Sequence, residues 1–184
     1  DVFASLERTF PGIDFAELAD SMAERVQKHG IRRAAEMREA ADMLWFVGDQ
    51  ASFDPRNQKV TRTVARLLRA AKVDFGLLYE AEKTAGNDVR RIGEEGLFES
   101  LAEHNLAQMH AAKTFRSILT TDPHTFNTLH NEYPQFGQTA PVMHYTELMC
   151  ELLEKGALRV SKPLGLRVTF HDPCHLGRLN KRYD

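Results

Sequence analysis

The run Met43-Leu44-Trp45-Phe46-Val47-Gly48-Asp49-Gln50-Ala51-Ser52-Phe53-Asp54-Pro55-Arg56 decides how this chain is read. Its first five residues are apolar in succession and end at Gly48, a segment too short for a helix and patterned like a strand buried on both faces. Pro55 then opens a helix, because its fixed φ and missing N–H suit the first helical position. Val60, Val64, Leu67 and Leu68 share one face of that helix, and Lys59, Arg62, Arg66 and Arg69 occupy the other. A buried strand followed at once by an amphipathic helix is the opening of a strand–helix–strand unit.

Working outward, the alternation repeats. Residues 73–79, 116–121, 141–144 and 166–170 read as further strands, and residues 94–112, 124–132 and 147–153 as helices. Upstream, Phe15, Leu18, Met22 and Val26 recur at helical spacing, with Asp14 as an N-cap and Gly30 as a stop; residues 31–41 continue the pattern. The expected fold is α/β: a mostly parallel sheet of four to five strands flanked by helices, preceded by an N-terminal helical segment. The expected divisions are 1–41 for that segment, 42–170 for the α/β domain, and 171–184 for the start of a further motif.

Composition narrows the function classes. The 184 residues are 42% hydrophobic and 27% charged, the balance of a chain that folds around a core. With 24 Lys plus Arg against 26 Asp plus Glu, the formal net charge is -2, so no basic field exists to hold a phosphate backbone and no nucleic-acid partner is expected. No apolar run approaches the ~20 residues of a membrane-spanning helix. Cys150 and Cys174 cannot staple a scaffold, which fits a reducing cytoplasm. Cys150, in the apolar stretch Leu148-Met149-Cys150-Glu151-Leu152-Leu153, reads as a small buried hydrophobe. The chain opens on Asp1 without an initiator Met or apolar leader and stops soon after His171-Asp172-Pro173-Cys174, so it is expected to be a piece of something longer.

In open parallel sheets, ligands bind beyond the carboxyl ends of the strands, and here each exit is loaded with polar residues. The exits carry Asp49, Asp54 and Arg56; Glu82, Thr84 and Asn87; Asp122 and His124; His144; and finally His171, Cys174 and Arg178. Two readings stand for Asp122 and Asp54, helix cap or ligand, since Asp-Pro is also ordinary N-cap grammar. His144 and His171 stand between function and packing, while His104, His110 and His130 fall within helices and read as packing or surface residues. Neither G-x-x-x-x-G-K nor G-x-G-x-x-G occurs, which disfavours those modes of nucleotide binding. Cys174, after Pro173 at a strand exit, is the one thiol placed to work.

The run Trp45 to Arg56, the run Thr121-Asp122-Pro123-His124-Thr125-Phe126-Asn127-Thr128-Leu129 with Asn131-Glu132-Tyr133-Pro134, and His171-Asp172-Pro173-Cys174-His175-Leu176-Gly177-Arg178 together resemble the cysteine-rich (CCG) domain. That domain occurs in one of the subunits of heterodisulfide reductase and in related iron–sulfur oxidoreductases. The family pattern is one Cys, a spacer, a Cys pair, a second spacer and Cys-x-x-Cys, and it holds a noncubane [4Fe-4S] cluster. Laid on this sequence, the pattern falls on Asp49, on Thr84 and Ala85, and on Asp122 and Thr125, with spacers of 34 and 36 residues. None of the five is a cysteine.

Thiolates hold such clusters, with His as an occasional substitute, so the resemblance implies a first half that has lost its cluster. Cys174 would then be the first ligand of a second, repeated motif, with [4Fe-4S] clusters elsewhere in the full-length protein. The resemblance further implies electron transfer between a flavoprotein or thiol/disulfide couple and a quinone or other carrier. Implied partners are an electron-transfer flavoprotein, other redox subunits, and a quinone-reactive membrane partner that would place a cytoplasmic chain at the inner membrane face. On this reading Arg56, Arg90 and Arg91 line the pocket or pair with Asp49 and Asp122. Two other outcomes remain open: a rebuilt Zn or non-haem Fe site from Asp49, Asp122, His124, His171 and Cys174, and a structural docking module.

Overall fold

The structure is a computed structural model that describes residues 32–33, 41–112 and 115–183. The chain divides into two compact units, Asp1–Arg32 and Arg33–Asp184. The N-terminal helix expected around Phe15 to Val26 lies outside the described residues. Within the 1–41 segment, Arg32–Arg33 is a two-residue strand and Ala41 already belongs to the next one, where the sequence pattern suggests helix.

Four strands make the sheet of the second unit: β1 (Ala41–Phe46), β2 (Phe75–Leu77), β3 (Phe115–Thr120) and β4 (Val142–His144). All pairings among them are parallel, in the order β2-β1-β3-β4. The register aligns Phe46 with Thr120 and Thr120 with His144, so β1, β3 and β4 end level on one rim. Leu44, Trp45 and Phe46 are buried in succession, as are Ile118, Leu119 and Thr120, which is what a strand covered on both faces demands. Because β2 and β3 lie on opposite sides of β1, the connections after β1 and β3 diverge and leave a crevice between them, the usual ligand position in such sheets.

The helices are α1 (Asp49–Phe53), α2 (Pro55–Ala70), α3 (Asn87–Arg91), α4 (Glu95–Ala111), α5 (Pro123–Asn127) and α6 (Tyr145–Glu154). After α5 the chain widens into a π turn, Thr128–Glu132, and then tightens into a 3-10 turn, Tyr133–Phe136, so the helix expected over 124–132 is α-helical for only its first half. Helix α4 presents Phe98, Ala102, Asn105, Leu106 and Met109 to the core, where Phe98 meets Tyr133 and Phe136 edge to face. On α2 only Val64 and Leu68 are buried; Val60 and Leu67 remain 47% and 39% exposed, so the apolar stripe is half as wide as its spacing suggested.

Two expectations are corrected. Residues 166–170 form no strand: Leu164, Leu166, Val168 and Phe170 alternate as a strand should, yet all are more than two-thirds exposed. Period-two alternation makes a strand only where a neighbour supplies a ladder, and this stretch pairs with no described strand. Cys150 is exposed, because the buried face of α6 is carried by Leu148 and Leu152.

Candidate functional site

The site begins with how the loops after β1, β2 and β3 are tied together. Glu82, beyond β2, accepts the N–H groups of Val47 and Gly48 at 3.0 and 2.7 Å, one on each carboxylate oxygen. Thr84 Oγ1 donates to Asp49 Oδ2 at 3.2 Å. Gly48 has φ +81°, and a Cβ there would stand 3.1 Å from Thr125 Oγ1 and 3.7 Å from Asp122 Cβ, so only glycine lets the first loop close onto the third.

From beneath, Asn105 receives Lys83 N–H at 3.0 Å and donates to the Thr84 carbonyl at 3.1 Å, and Tyr133 donates to the Ala85 carbonyl at 3.1 Å. Both side chains are buried. Sequence reasoning missed them, although a lone amide on the apolar stripe of α4 is the signal that could have found Asn105.

Asp122 resolves as a cap. It accepts His124 N–H at 3.2 Å, Thr125 N–H at 3.0 Å and the Thr125 hydroxyl at 2.7 Å. Burial opposes its charge, but those donors outweigh it and hold the carboxyl below its ordinary value. Asp54 likewise caps α2, accepting from Arg56 and Asn57 at 2.9 Å. Glu82 goes the other way: burial of its carboxyl raises it to about 7 against the two amide donors, and the Asp49 charge adds to the rise. The residue as a whole keeps partial exposure, but its carboxylate end is enclosed between the two loops, and that end sets the direction.

Asp49, Thr84, Ala85, Asp122 and Thr125 all line one cleft of about 200 Å³, together with Gln50, Asn87, Asp88 and His124. The five positions on which the resemblance lays the family's cysteine pattern, drawn from three separate loops, thus line one cleft. Their chemistry is that of oxygen acceptors. Asn87 Oδ1 is buried without a partner, and Asp49, Asp88 and Asp122 are among the residues that line the cleft. Such a wall suits a hydrogen-bond donor or a cation, and Ala85 offers no donor atom at all. Thr84 and Thr125 spend their hydroxyls on Asp49 and Asp122, so this set of side chains does not fit a thiolate-held iron–sulfur cluster.

The arginines stand elsewhere. Arg90 bridges Glu95 at 2.9 Å and Glu132 at 3.1 Å and lies 4.6 Å over the Phe98 ring, while Arg91 also pairs with Glu132. Arg56 is 91% exposed beside Asp54. None of the three lines the cleft or pairs with Asp49 or Asp122; Glu132, which the sequence reading passed over as a partner, gathers two of them. His144 is buried at the head of α6, its N–H donating to Glu147 at 2.9 Å and its Nδ1 lying 2.7 Å from Thr146 Oγ1, and burial lowers its pKa. His104 reaches the Ala81 carbonyl at 2.9 Å and His130 stacks on Phe126.

The chain after the exposed stretch returns to this rim. A π turn, Cys174–Leu179, lays His175 against His124 with ring centroids 4.1 Å apart, and Asn180 bonds Asn127 at 3.0 Å. Of the residues expected for a rebuilt metal site, His124 and Cys174 come together, joined by His175; Asp49, Asp122 and His171 do not belong to that group. His175 is held below its ordinary pKa, first by burial and then by His124.

Comparison with known proteins bears on this geometry. Residues 43–130 match the cysteine-rich domain, and residues 1–71 match a domain of unknown function, DUF1932. The chain is 43% identical over 143 residues to the "Probable iron-sulfur-binding oxidoreductase FadF" of Bacillus subtilis, covering 78% of this chain and 20% of that protein. It is 36% identical over 184 residues to the "EtfAB:quinone oxidoreductase" of Syntrophomonas wolfei, covering 99% of this chain and 26% of that one. With one of the subunits of the dihydromethanophenazine:CoB–CoM heterodisulfide reductase of Methanosarcina barkeri the identity is 26% over 148 residues, 77% of this chain and 36% of that polypeptide. The chain therefore spans between a fifth and about a third of these three relatives. No solved structure matches it significantly. Among the described residues, no helix is long and apolar enough to cross a membrane.

Proposed function

Residues 43–130 belong to the cysteine-rich domain family, and from that premise we propose that the chain is the cluster-free first half of a cysteine-rich domain pair within a larger iron–sulfur oxidoreductase. The complete protein passes electrons between a flavoprotein or a thiol/disulfide couple and a quinone or another carrier. Its [4Fe-4S] clusters sit outside residues 43–130, and its partners are an electron-transfer flavoprotein, other redox subunits or a quinone-reactive membrane subunit at the cytoplasmic face. The relatives whose names specify iron–sulfur binding, quinone reduction and heterodisulfide reduction support this reading.

The observation that carries it is the cleft itself: the three loops that would present five thiolates are packed together, and they present Asp49, Thr84, Ala85, Asp122 and Thr125 instead. In this role the half contributes shape and an acidic, acceptor-rich wall. The test uses the full-length protein, with Asp49→Asn and Thr84→Ala made together. The number of clusters by electron paramagnetic resonance and the rate of electron delivery to the acceptor are expected to stay within twofold of the parent. Loss of a cluster signal in that variant would overturn the reading.

A further inference from the structure

We infer that the cleft between the loops after β1, β2 and β3 binds a guanidinium cation, with Asp49, Asp88 and Asn87 as its acceptors. This ligand class deepens the cluster-free reading above and rests on it. Charge is the first observation that points to it: Asp49, Asp88 and Asp122 line a cleft of about 200 Å³ that no Lys or Arg lines. Among the described residues these three aspartates have a single basic neighbour at ion-pair distance, His124, 3.3 Å from Asp122. The second observation is Asn87, which lines the same cleft, is only 7% exposed, and has an Oδ1 with no hydrogen-bond partner. Its Nδ2 donates to Asp88 Oδ1 at 2.9 Å, and exchanging the two amide atoms would set oxygen against oxygen. The acceptor end is therefore the one left over, and a donor brought in by a ligand removes the cost of burying it unpaired.

The remaining acceptor capacity decides the kind of cation. Asp122 spends both oxygens on the head of α5, so it contributes charge more than lone pairs. Asp49 accepts Gln50 N–H at 2.9 Å on one oxygen and the Thr84 hydroxyl at 3.2 Å on the other, which leaves room for a further donor on each. Among the described residues, no three carboxylates of the cleft bring their oxygens close enough to share one metal ion. A metal ion must draw oxygens to within about 2.0–2.6 Å of itself. A guanidinium instead carries five N–H donors in a rigid planar fork, pairs with carboxylates through two bonds at once, and spans acceptors that stand apart. Such a fork comes from a free small molecule or from an arginine side chain of another polypeptide.

The full-length protein, kept anaerobic, is titrated calorimetrically with methylguanidinium, with its uncharged analogue methylurea, and with calcium chloride. One methylguanidinium per chain is expected, with a Kd below about 1 mM, and methylurea should bind at least about tenfold more weakly. Asp49→Asn, Asp88→Asn and Asn87→Ala should each weaken methylguanidinium about tenfold, while Asp172→Asn, outside the cleft, should leave it unchanged. Circular dichroism and iron content of every variant should match the parent. An acetylated and amidated Gly-Arg-Gly peptide assigns the source: competition at equal affinity marks an arginine of a partner, and exclusion marks a free guanidine. Equal affinity for methylurea, displacement by equimolar calcium, or unchanged affinity in both Asp88→Asn and Asn87→Ala would each overturn the guanidinium site alone. Iron lost from Asp49→Asn would overturn the cluster-free reading and this site with it.

Discussion

Two four-residue runs with the same beginning end differently in this molecule: Asp122-Pro123-His124-Thr125 and Asp172-Pro173-Cys174-His175. The first follows a strand buried in the middle of the sheet, and its Asp bonds two backbone amides and a hydroxyl at the head of α5. The second follows an exposed stretch, and its Asp caps nothing; it faces Arg178 at 3.3 Å on the surface. Local grammar is shared, so the difference lies in what precedes it. A strand fixed on both sides delivers its Asp to a defined place, where three donors converge. A stretch without a strand partner delivers its Asp to a single ion pair, half-buried beside Arg178, and the turn that follows is held by Asn180 and by ring contact with His124.

The sharpest way to break this contrast is to loosen the first region from below. Asn105→Ala strips the Lys83 amide and the Thr84 carbonyl of their buried partner and leaves a cavity, and should cost about 3 kcal/mol in urea unfolding. Next, Gly48→Ala combines a left-handed backbone with a crowded approach to Thr125, and should cost about 2 kcal/mol by the same measurement. The direct comparison is smaller: Asp122→Ala should lose about 1–2 kcal/mol as a deleted cap, whereas Asp172→Ala should lose less than about 0.5 kcal/mol, as befits a surface ion pair. Equal losses at the two aspartates would dissolve the distinction.

The smallest expected effect is one of pH. Glu82 binds its proton more tightly in the folded state, near 7 against an ordinary 4.5. Its contribution is therefore fully present below pH 4.5 and is lost as pH rises through about 7. Asp122 has the opposite sign: its carboxyl is held below 3.8, so its contribution is present above that value and lost only in stronger acid. Stability of the parent relative to Glu82→Gln should thus fall between pH 4.5 and 7 and level off above it, with His144 and His175 cancelling in the difference. A flat difference would mean that the Glu82 carboxyl is not enclosed.

Much of this was legible beforehand. Met43 to Val47 announced its strand because a run buried on both faces leaves no other pattern, and Asp54-Pro55 and Asp122-Pro123 opened helices as their chemistry requires. That the strand exits would meet on one rim followed from the strand–helix alternation, whereas positions 49, 84, 85, 122 and 125 were marked out by the family resemblance and not by any local rule. What stayed hidden depended on partners distant in sequence. Residues 166–170 alternate correctly but have no neighbouring strand among the described residues, and Arg90 and Arg91 turn to Glu132, which no local rule connects to them. Asn105 and Tyr133 hold the second loop through contacts more than twenty residues away.

A cluster-free first half requires that the wall of the first cleft carry no redox metal. Anaerobic reconstitution of the 184-residue chain with ferrous iron and sulfide, followed by elemental analysis and visible absorption, examines that directly. The expected result is neither iron nor sulfide retained above background by a Cys174→Ser chain, whose first cleft is intact. Stoichiometric iron and sulfide in that chain, lost on further substitution of Asp49 and Asp122, would contradict it.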